Sequence, residues 1–479
     1  MTKFDLSKQI ALFLGPLLFG VIQFSNFTLI SPTADTVIGV ALWMVIWWIT
    51  ETVSISVTAL LPLLLFPLFD IVPMADVGAN YGSPIVFLFF GGFVLALGLE
   101  KVNLHKRIAL TIVKLTGTSP NKVVLGFMIA TAFMSMWISN TASTVVMLPI
   151  AMSVISLLIN DEDGFTKADK NFALSVMLGI AFSANAGGIA TVIGTPPNSV
   201  LIGLLENEYN TQISFAKWLS FGLPFSIIMI SIIYFILVKV LFPSSGLNFG
   251  TSASVISEEL KKLGKLTSKE KQVLLIFSVI VTLWIFRSVI NNLLPELGLS
   301  GTMISVFGAL ALFAIPHNIK RGDFILEWKD TKNLAWGILI LFGGGLALAK
   351  GMSTSGIVDV VSRAISEAEM SILITASILI ILMLFMTELM SNVALTAVLA
   401  PVIAGIAIGL EIPMIHLLIP VTIASSCAFM LPMATPPNAI VFASGYIKVN
   451  QMARAGILLN IISVIILILL FNYIMPLIF

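Results

Sequence analysis

Apolar runs of roughly bilayer-spanning length follow one another along almost the whole chain, separated by short polar or Pro/Gly clusters. A helix that crosses a bilayer needs about 20 apolar residues, so this pattern leaves little choice of fold. Composition agrees. Of 479 residues 58% are hydrophobic and 10% charged, where a soluble domain carries about 25% charged residues. Mean hydropathy is +1.07. The expected class is an all-α polytopic membrane protein with room for roughly a dozen crossings. Lys3 and Lys8 precede the apolar run Ile10 to Phe24, and no Ala-x-Ala cleavage site follows. The run therefore reads as the first membrane helix rather than a signal peptide.

Several function classes fall away. Lys and Arg total 25 against 24 Asp and Glu, so no net field would attract nucleic acid. Cys427 is the single cysteine, and His105, His317 and His416 lie far apart. No HExxH, Walker A or GxSxG sequence occurs. No catalytic set, haem or zinc is expected, and the chain reads as no enzyme.

Helices are predicted at about 8–30, 36–50, 53–69 and 84–100, with an amphipathic stretch at 102–116. A block at 121–159 is broken at Ser139-Asn140-Thr141, and a run at 171–206 at Thr195-Pro196-Pro197-Asn198. Helices at about 218–242, 271–291, 299–316 and 333–352 follow. A second broken block spans 371–410, a run at 413–444 breaks at Thr435-Pro436-Pro437-Asn438, and a last helix covers about 455–478. Residues 243–270 read as a cytoplasmic linker with a short amphipathic helix. If the two broken blocks do not cross, about eleven crossings remain. With a cytoplasmic N-terminus, only Lys217, Arg287, Lys350 and Arg363 of the basic residues then fall on the outer side. That asymmetry obeys the positive-inside rule and puts the C-terminus outside. Two crossings per block would leave the parity unchanged.

The strongest signal is an internal repeat. Phe90-Gly91-Gly92 recurs as Phe342-Gly343-Gly344, and Ser139-Asn140 as Ser391-Asn392, at one common offset. Ala142 with Ala394, Thr144 with Thr396 and Pro149 with Pro401 keep that offset, and Thr-Pro-Pro-Asn occurs in both halves. Five crossings separate the broken blocks. An odd number makes the second half approach from the opposite face, the inverted repeat of secondary transporters with a midplane site at discontinuous helices.

Each broken block fits a re-entrant hairpin, whose irregular tip is tolerated only when buried or lining a cavity. Ser139 and Ser391 are good N-caps. A helix starting at either tip brings about half a positive charge and free N–H groups to the bilayer centre. Asn140 and Asn392 add amide donors. Thr195 and Thr435 are predicted to cap the second breaks, with Pro favoured at the first helical position. The preceding carbonyls of Gly194 and Ala434 suit a small hard cation. Two facing anion sites fit a short dicarboxylate. Glu388, an intramembrane carboxylate, is open to a functional role or to plain interhelical hydrogen bonding. Glu51, beside Trp47 and Trp48, reads as an interfacial structural residue. The glycines at 91–92 and 343–345 read as close-packing positions.

At these residues the chain resembles the divalent anion/sodium symporter family, the INDY-type dicarboxylate transporters. The Ser-Asn pairs carry the resemblance together with Ser426-Cys427-Ala428-Phe429-Met430-Leu431-Pro432 and the segment from Thr435 to Phe442, and it covers nearly the whole chain. It implies a homodimer in a cell (inner) membrane, with scaffold helices in 1–116 and 271–370 and transport parts in 117–242 and 371–479. The transport parts would move as an elevator. It implies a first sodium site at Ser135, Ser139, Asn140 and Gly194, and a second at Thr387, Asn392, Ala434 and Pro436. Substrate would meet Asn140, Thr141, Thr195, Asn392, Val393, Thr435 and Pro436. No other cofactor is implied. Val393 departs from the Ser-Asn-Thr pattern, so one hydroxyl is missing. Sodium symport and sodium-independent dicarboxylate exchange both stay open. So do other anions, such as citrate, sulfate or arsenite, and more remotely an anion channel.

Overall fold

The computed structural model describes residues 6–25, 28–117, 119–159, 166–244, 252–368 and 370–479, with backbone alone at 157–159 and 252–255. Lys3 and residues 245–251 of the predicted linker lie outside the described residues. The first half begins with α1 (Leu6–Phe24), α2 (Pro32–Thr50), α3 (Ile55–Thr58), α4 (Leu61–Leu68), α5 (Met74–Tyr81), α6 (Pro84–Lys101) and the amphipathic α7 (Leu104–Thr116). The hairpin α8 (Pro120–Ser135) and α9 (Asn140–Ile159) follows, then α10 (Lys167–Gly188), α11 (Pro196–Tyr209) and α12 (Phe215–Phe235). The linker holds α13 (Ser252–Lys262).

The second half runs through α14 (Ser268–Leu293), α15 (Gly301–Ala314), α16 (Trp336–Thr354) and α17 (Ile357–Glu367). The hairpin α18 (Ile372–Met386) and α19 (Asn392–Gly409) follows, then α20 (Met414–Ser426), α21 (Pro436–Phe442), α22 (Val449–Leu469) and α23 (Met475–Ile478). Eight of the described helices are long and apolar enough to cross a membrane, and α19 is among them. Other predicted crossings fall on shorter apolar helices: Ile55–Leu68, Gly301–Ala314 and Met414–Ser426.

The repeat extends beyond its sequence matches. α12 and α22 each have 21 residues and each runs on into a π-helical turn, at 236–241 and 470–474. α7 and α17 hold equivalent places between a glycine-bearing helix and a hairpin. The expected run 53–69 is split, because Pro62 lacks an N–H and its ring collides with the carbonyl four residues back, at Thr58 where α3 ends. The run 8–30 stops at Phe24. α5, α17 and a small hairpin of β1 (Pro316–Asn318) and β2 (Asp323–Phe324) were not anticipated.

Local capping explains several boundaries. Thr166 with Asp169 and Thr267 with Glu270 form reciprocal capping boxes that start α10 and α14. Close packing needs small residues at the crossings. A Cβ on Gly91 would lie 2.6 Å from the Ser305 carbonyl carbon, so the glycine lets α6 press on α15. At one end of the molecule charged side chains link the predicted cytoplasmic loops. Arg107 pairs with Glu270 at 2.6 Å, Lys101 with Asp330 at 2.6 Å and Lys106 with Glu259 at 3.0 Å. Lys262 and then Lys106 hold the Glu259 carboxyl below the usual carboxylate range.

Candidate substrate and cation site

The two hairpin tips and the two Thr-Pro-Pro breaks meet on one cavity of about 620 Å³. α9, α11, α19 and α21 all begin there, at Asn140, Pro196, Asn392 and Pro436. Four helix N-termini thus converge without a basic side chain at the tips. Free first-turn N–H groups come only from α9 and α19, because α11 and α21 open with Pro196-Pro197 and Pro436-Pro437 and the N–H groups of Asn198 and Asn438 are bonded to Thr195 and Thr435. Ser139, Asn140, Thr141 and Thr195 line the cavity from the first half. Asn392, Val393, Ala434, Thr435 and Pro436 line it from the second. Ser135 and Thr387 are buried, and with Gly194 they are absent from the lining and stand behind it.

Both tips cap as expected. Ser139 Oγ accepts from Ala142 N at 3.2 Å, and Ser391 Oγ from Ala394 N at 3.5 Å. The matched threonines fasten the tips one turn on: Thr144 donates to the Asn140 carbonyl and Thr396 to that of Asn392, each at 2.8 Å. At the second breaks the prediction holds on one side only. Thr435 Oγ1 accepts from Asn438 N at 3.4 Å, whereas Thr195 makes no side-chain cap. Asn198 N bonds the Thr195 backbone carbonyl at 3.2 Å instead, so the Thr195 side chain is left beside the cavity. The asparagines of both motifs brace the breaks from behind. Asn198 Nδ2 donates to the Thr191 carbonyl at 2.9 Å, and Asn438 Nδ2 to those of Ala428 and Leu431 at 3.2 and 3.1 Å.

The Asn140 carboxamide is wedged between the carbonyls of Ala184 and Gly194, 3.2 and 3.3 Å away, and the Ser135 hydroxyl. Ser135 Oγ also donates to Ala184 O at 2.7 Å. With its nitrogen inward, the amide donates to these oxygens. With its oxygen inward, it completes a cluster of four oxygens, the donor set of a small hard cation. The Asn392 side chain makes no hydrogen bond among the described residues. Thr387 donates to the Ser425 carbonyl at 2.6 Å.

The partners of three features could not be read from the sequence. Glu388 is 3% exposed, and its carboxylate accepts from the N–H groups of Phe429 at 2.8 Å, Met430 at 2.9 Å and Leu431 at 3.1 Å, and from Asn460 Nδ2 at 2.7 Å. It is spent on the protein's own broken helix, so the hydrogen-bonding reading of this residue holds. Asn185 ties the halves together, its Nδ2 donating to Ala428 O at 3.2 Å and Thr435 Oγ1 at 3.1 Å. Lys8 and Glu51 line the same cavity as the tips. Glu51 is therefore more than the interfacial residue expected: it closes α2 in a left-handed backbone, φ 45°, at the cavity's edge.

An all-α chain with paired helical hairpins and doubly broken helices around one central cavity is a polytopic membrane transporter. Residues 8–479 match the family described as the sodium:sulfate symporter transmembrane region. The chain belongs to that family. It is 36% identical over 481 residues to the sodium-dependent dicarboxylate transporter SdcS of Staphylococcus saprophyticus, covering 99% of this chain and 92% of the relative. It is 38% identical over 485 residues to SdcS of Staphylococcus aureus, with the same coverage. Among solved structures, the YdaH transporter of Alcanivorax borkumensis shares the fold, with TM-score 0.60 and 11% identity over 98% of this chain and 99% of that one. MtrF of Neisseria gonorrhoeae aligns with TM-score 0.53 and 14% identity over 98% and 95%.

Proposed function

We propose that this protein is a secondary active transporter of C4–C5 dicarboxylates coupled to sodium. The observation that carries the reading is the single cavity into which four helix N-termini and two unlike asparagine tips open. Each end of a short dianion then meets N–H groups of one half, with Asn140 and Thr195 on one side and Asn392 and Thr435 on the other. The printed names of the relatives in Staphylococcus, sodium-dependent dicarboxylate transporters, support this substrate and this ion.

The oxygens of Ser135, Asn140, Ala184 and Gly194 fit a sodium ion. Bound there, the ion supplies a fixed positive charge beside the anion. Asn140 couples the two ligands in this reading. With its oxygen turned to the ion, its NH₂ faces the cavity and donates to a carboxylate. With its nitrogen turned inward, an oxygen faces the cavity and repels one. At the second site, at Thr387, Asn392, Ala434 and Pro436, Thr387 meets the Ser425 carbonyl at 2.6 Å much as Ser135 meets that of Ala184 at 2.7 Å. The Asn392 side chain, however, makes no hydrogen bond among the described residues, and we assign the main cation role to the first half. The scaffold at 1–116 and 271–370, the moving parts at 117–242 and 371–479, a homodimer, an elevator motion and a cytoplasmic N-terminus in the inner membrane complete the proposal. The charged pairs that join the predicted cytoplasmic loops support their lying on one side, and the positive-inside asymmetry of the sequence supports the choice of that side.

The test is uptake of labelled succinate into proteoliposomes, with and without a sodium gradient and with and without internal dicarboxylate. Sodium-driven accumulation is expected. Uptake that needs internal dicarboxylate and ignores sodium would replace symport by exchange.

A further inference from the structure

We infer that Lys8 is a positioning residue for the anion: its charge at the mouth of the cavity draws a dianion inward and raises the preference for dianions. The inference rests on the dicarboxylate reading above. The cavity that holds both tips extends to the first turn of α1 and the end of α2, where Lys8, Thr50 and Glu51 line it. Among the described lining residues Lys8 is the one cation and Glu51 the one carboxylate. Everything deeper offers only partial charges from helix ends and amides.

Lys8 is held in place. Its Nζ donates to the Glu51 carbonyl at 3.3 Å, and its own carbonyl accepts from Thr52 Oγ1 at 3.3 Å. Trp47 Nε1 donates to Ala11 O at 3.1 Å, which fixes α1 against α2 one turn away. The walls beside it are apolar, with Trp48, Ile49, Ile338 and Leu341. A cleft with low-dielectric walls focuses the field of its charges and raises the local concentration of the opposite ion. The bland alternative is a strap, in which Lys8 only ties α1 to α2 through its hydrogen bond. The two roles separate cleanly. A strap needs a donor, whereas steering needs a charge. Steering also pits Lys8 against Glu51, so loss of either should move affinity in opposite directions. A potential acts in proportion to ligand charge, so it favours a dianion over a monoanion.

The experiment compares parent, Lys8→Gln, Lys8→Glu, Lys8→Arg and Glu51→Gln as full-length protein in proteoliposomes. Succinate KM and kcat are measured on the face that carries the N-terminus, across a potassium chloride series. Lys8→Gln keeps a donor and loses the charge. It is expected to raise KM several-fold with kcat nearly unchanged, and Lys8→Glu by about tenfold. Lys8→Arg should stay close to the parent, and Glu51→Gln should lower KM. The rise of KM with salt should flatten in Lys8→Gln, because screening has less to remove. Equal KM values for parent, Lys8→Gln and Lys8→Glu would overturn the inference and leave the strap. So would shifts in one direction for Lys8→Gln and Glu51→Gln. A parent that carries no dicarboxylate removes the underlying reading as well. A parent that carries one, with indifferent Lys8 variants, removes the steering alone.

Discussion

The two hairpin tips carry one repeated sequence and share their caps, yet the residues just behind them satisfy the neighbouring breaks differently. At the first tip, the Asn140 carboxamide sits among the oxygens of Ser135, Ala184 and Gly194. At the second, Glu388 supplies two oxygens to the N–H groups of residues 429–431. Its counterpart in the first half, at the common repeat offset, is Met136. There the backbone of Met136 is used instead, its carbonyl accepting from Thr191 Oγ1 at 2.6 Å. The second half thus has the donors of its break neutralised by a carboxylate that the first half lacks. Equal architecture does not make equal chemistry. This difference is why the proposed function gives the cation to the first half and treats the second as the wall against which the anion is placed.

The largest effect should come from removing the carboxylate. Glu388→Ala strands three backbone donors and the Asn460 amide in a buried place. At about 1–3 kcal/mol for each unsatisfied group, the loss is on the order of 5 kcal/mol. We expect a much lower melting temperature or no folded protein. Met136→Ala removes a half-buried apolar side chain and should cost about 1–2 kcal/mol. Equal melting temperatures for the two variants would erase the contrast between the halves.

Next in size is the response to sodium, read as thermal stabilisation by sodium chloride against choline chloride. A ligand at 100 times its Kd stabilises by about 2.7 kcal/mol. Asn140→Ala should lose most of this stabilisation, and Asn392→Ala should keep most of it. Asn140→Asp retains an inward oxygen, so it should keep the sodium response while losing succinate binding. Both alanine variants should abolish uptake. Loss of the sodium response in Asn392→Ala alone would reverse the assignment of roles to the tips.

The smallest effect concerns Val393, which is 8% exposed and lines the cavity opposite Thr141. Val393→Thr restores one hydroxyl with little change of shape. One hydrogen bond to a charged group contributes about 1.5–3 kcal/mol, so succinate affinity should rise by up to roughly tenfold. Superimposable succinate titrations of parent and variant would show that the tip is complete without that hydroxyl.

Much of this site could be read from the chain, because its parts are local. Ser139 and Asn140, or Thr435 with its two prolines, announce a helix start within four residues. The bends themselves need only sequence neighbours. Other features depend on partners far along the chain. Glu388 meets residues 41 to 43 positions away, and Asn185 meets Thr435 across 250. No periodicity encodes such pairs. Thr195 failed to cap although its motif equals that of Thr435, since identical tetrapeptides sit in different surroundings. α17 is a different kind of miss. Ile357, Val358, Val361 and Ile365 share one face with Asp359, Arg363 and Glu367 turned elsewhere, an amphipathic signal concealed by its polar neighbours. Lys8 and Glu51 belong to the cavity only through the packing of α1 and α2 on the two halves.

Cys427, the single cysteine, begins the second break and is fully buried. The protein therefore carries a built-in clock for that break. A maleimide can reach the thiol only when the break opens around it, where residues 429–431 are held by Glu388, so the rate of modification counts openings of the second break in the unaltered molecule. Sodium and succinate, added separately, can then be ranked by how far each slows that clock, with no substitution in the transporter at all.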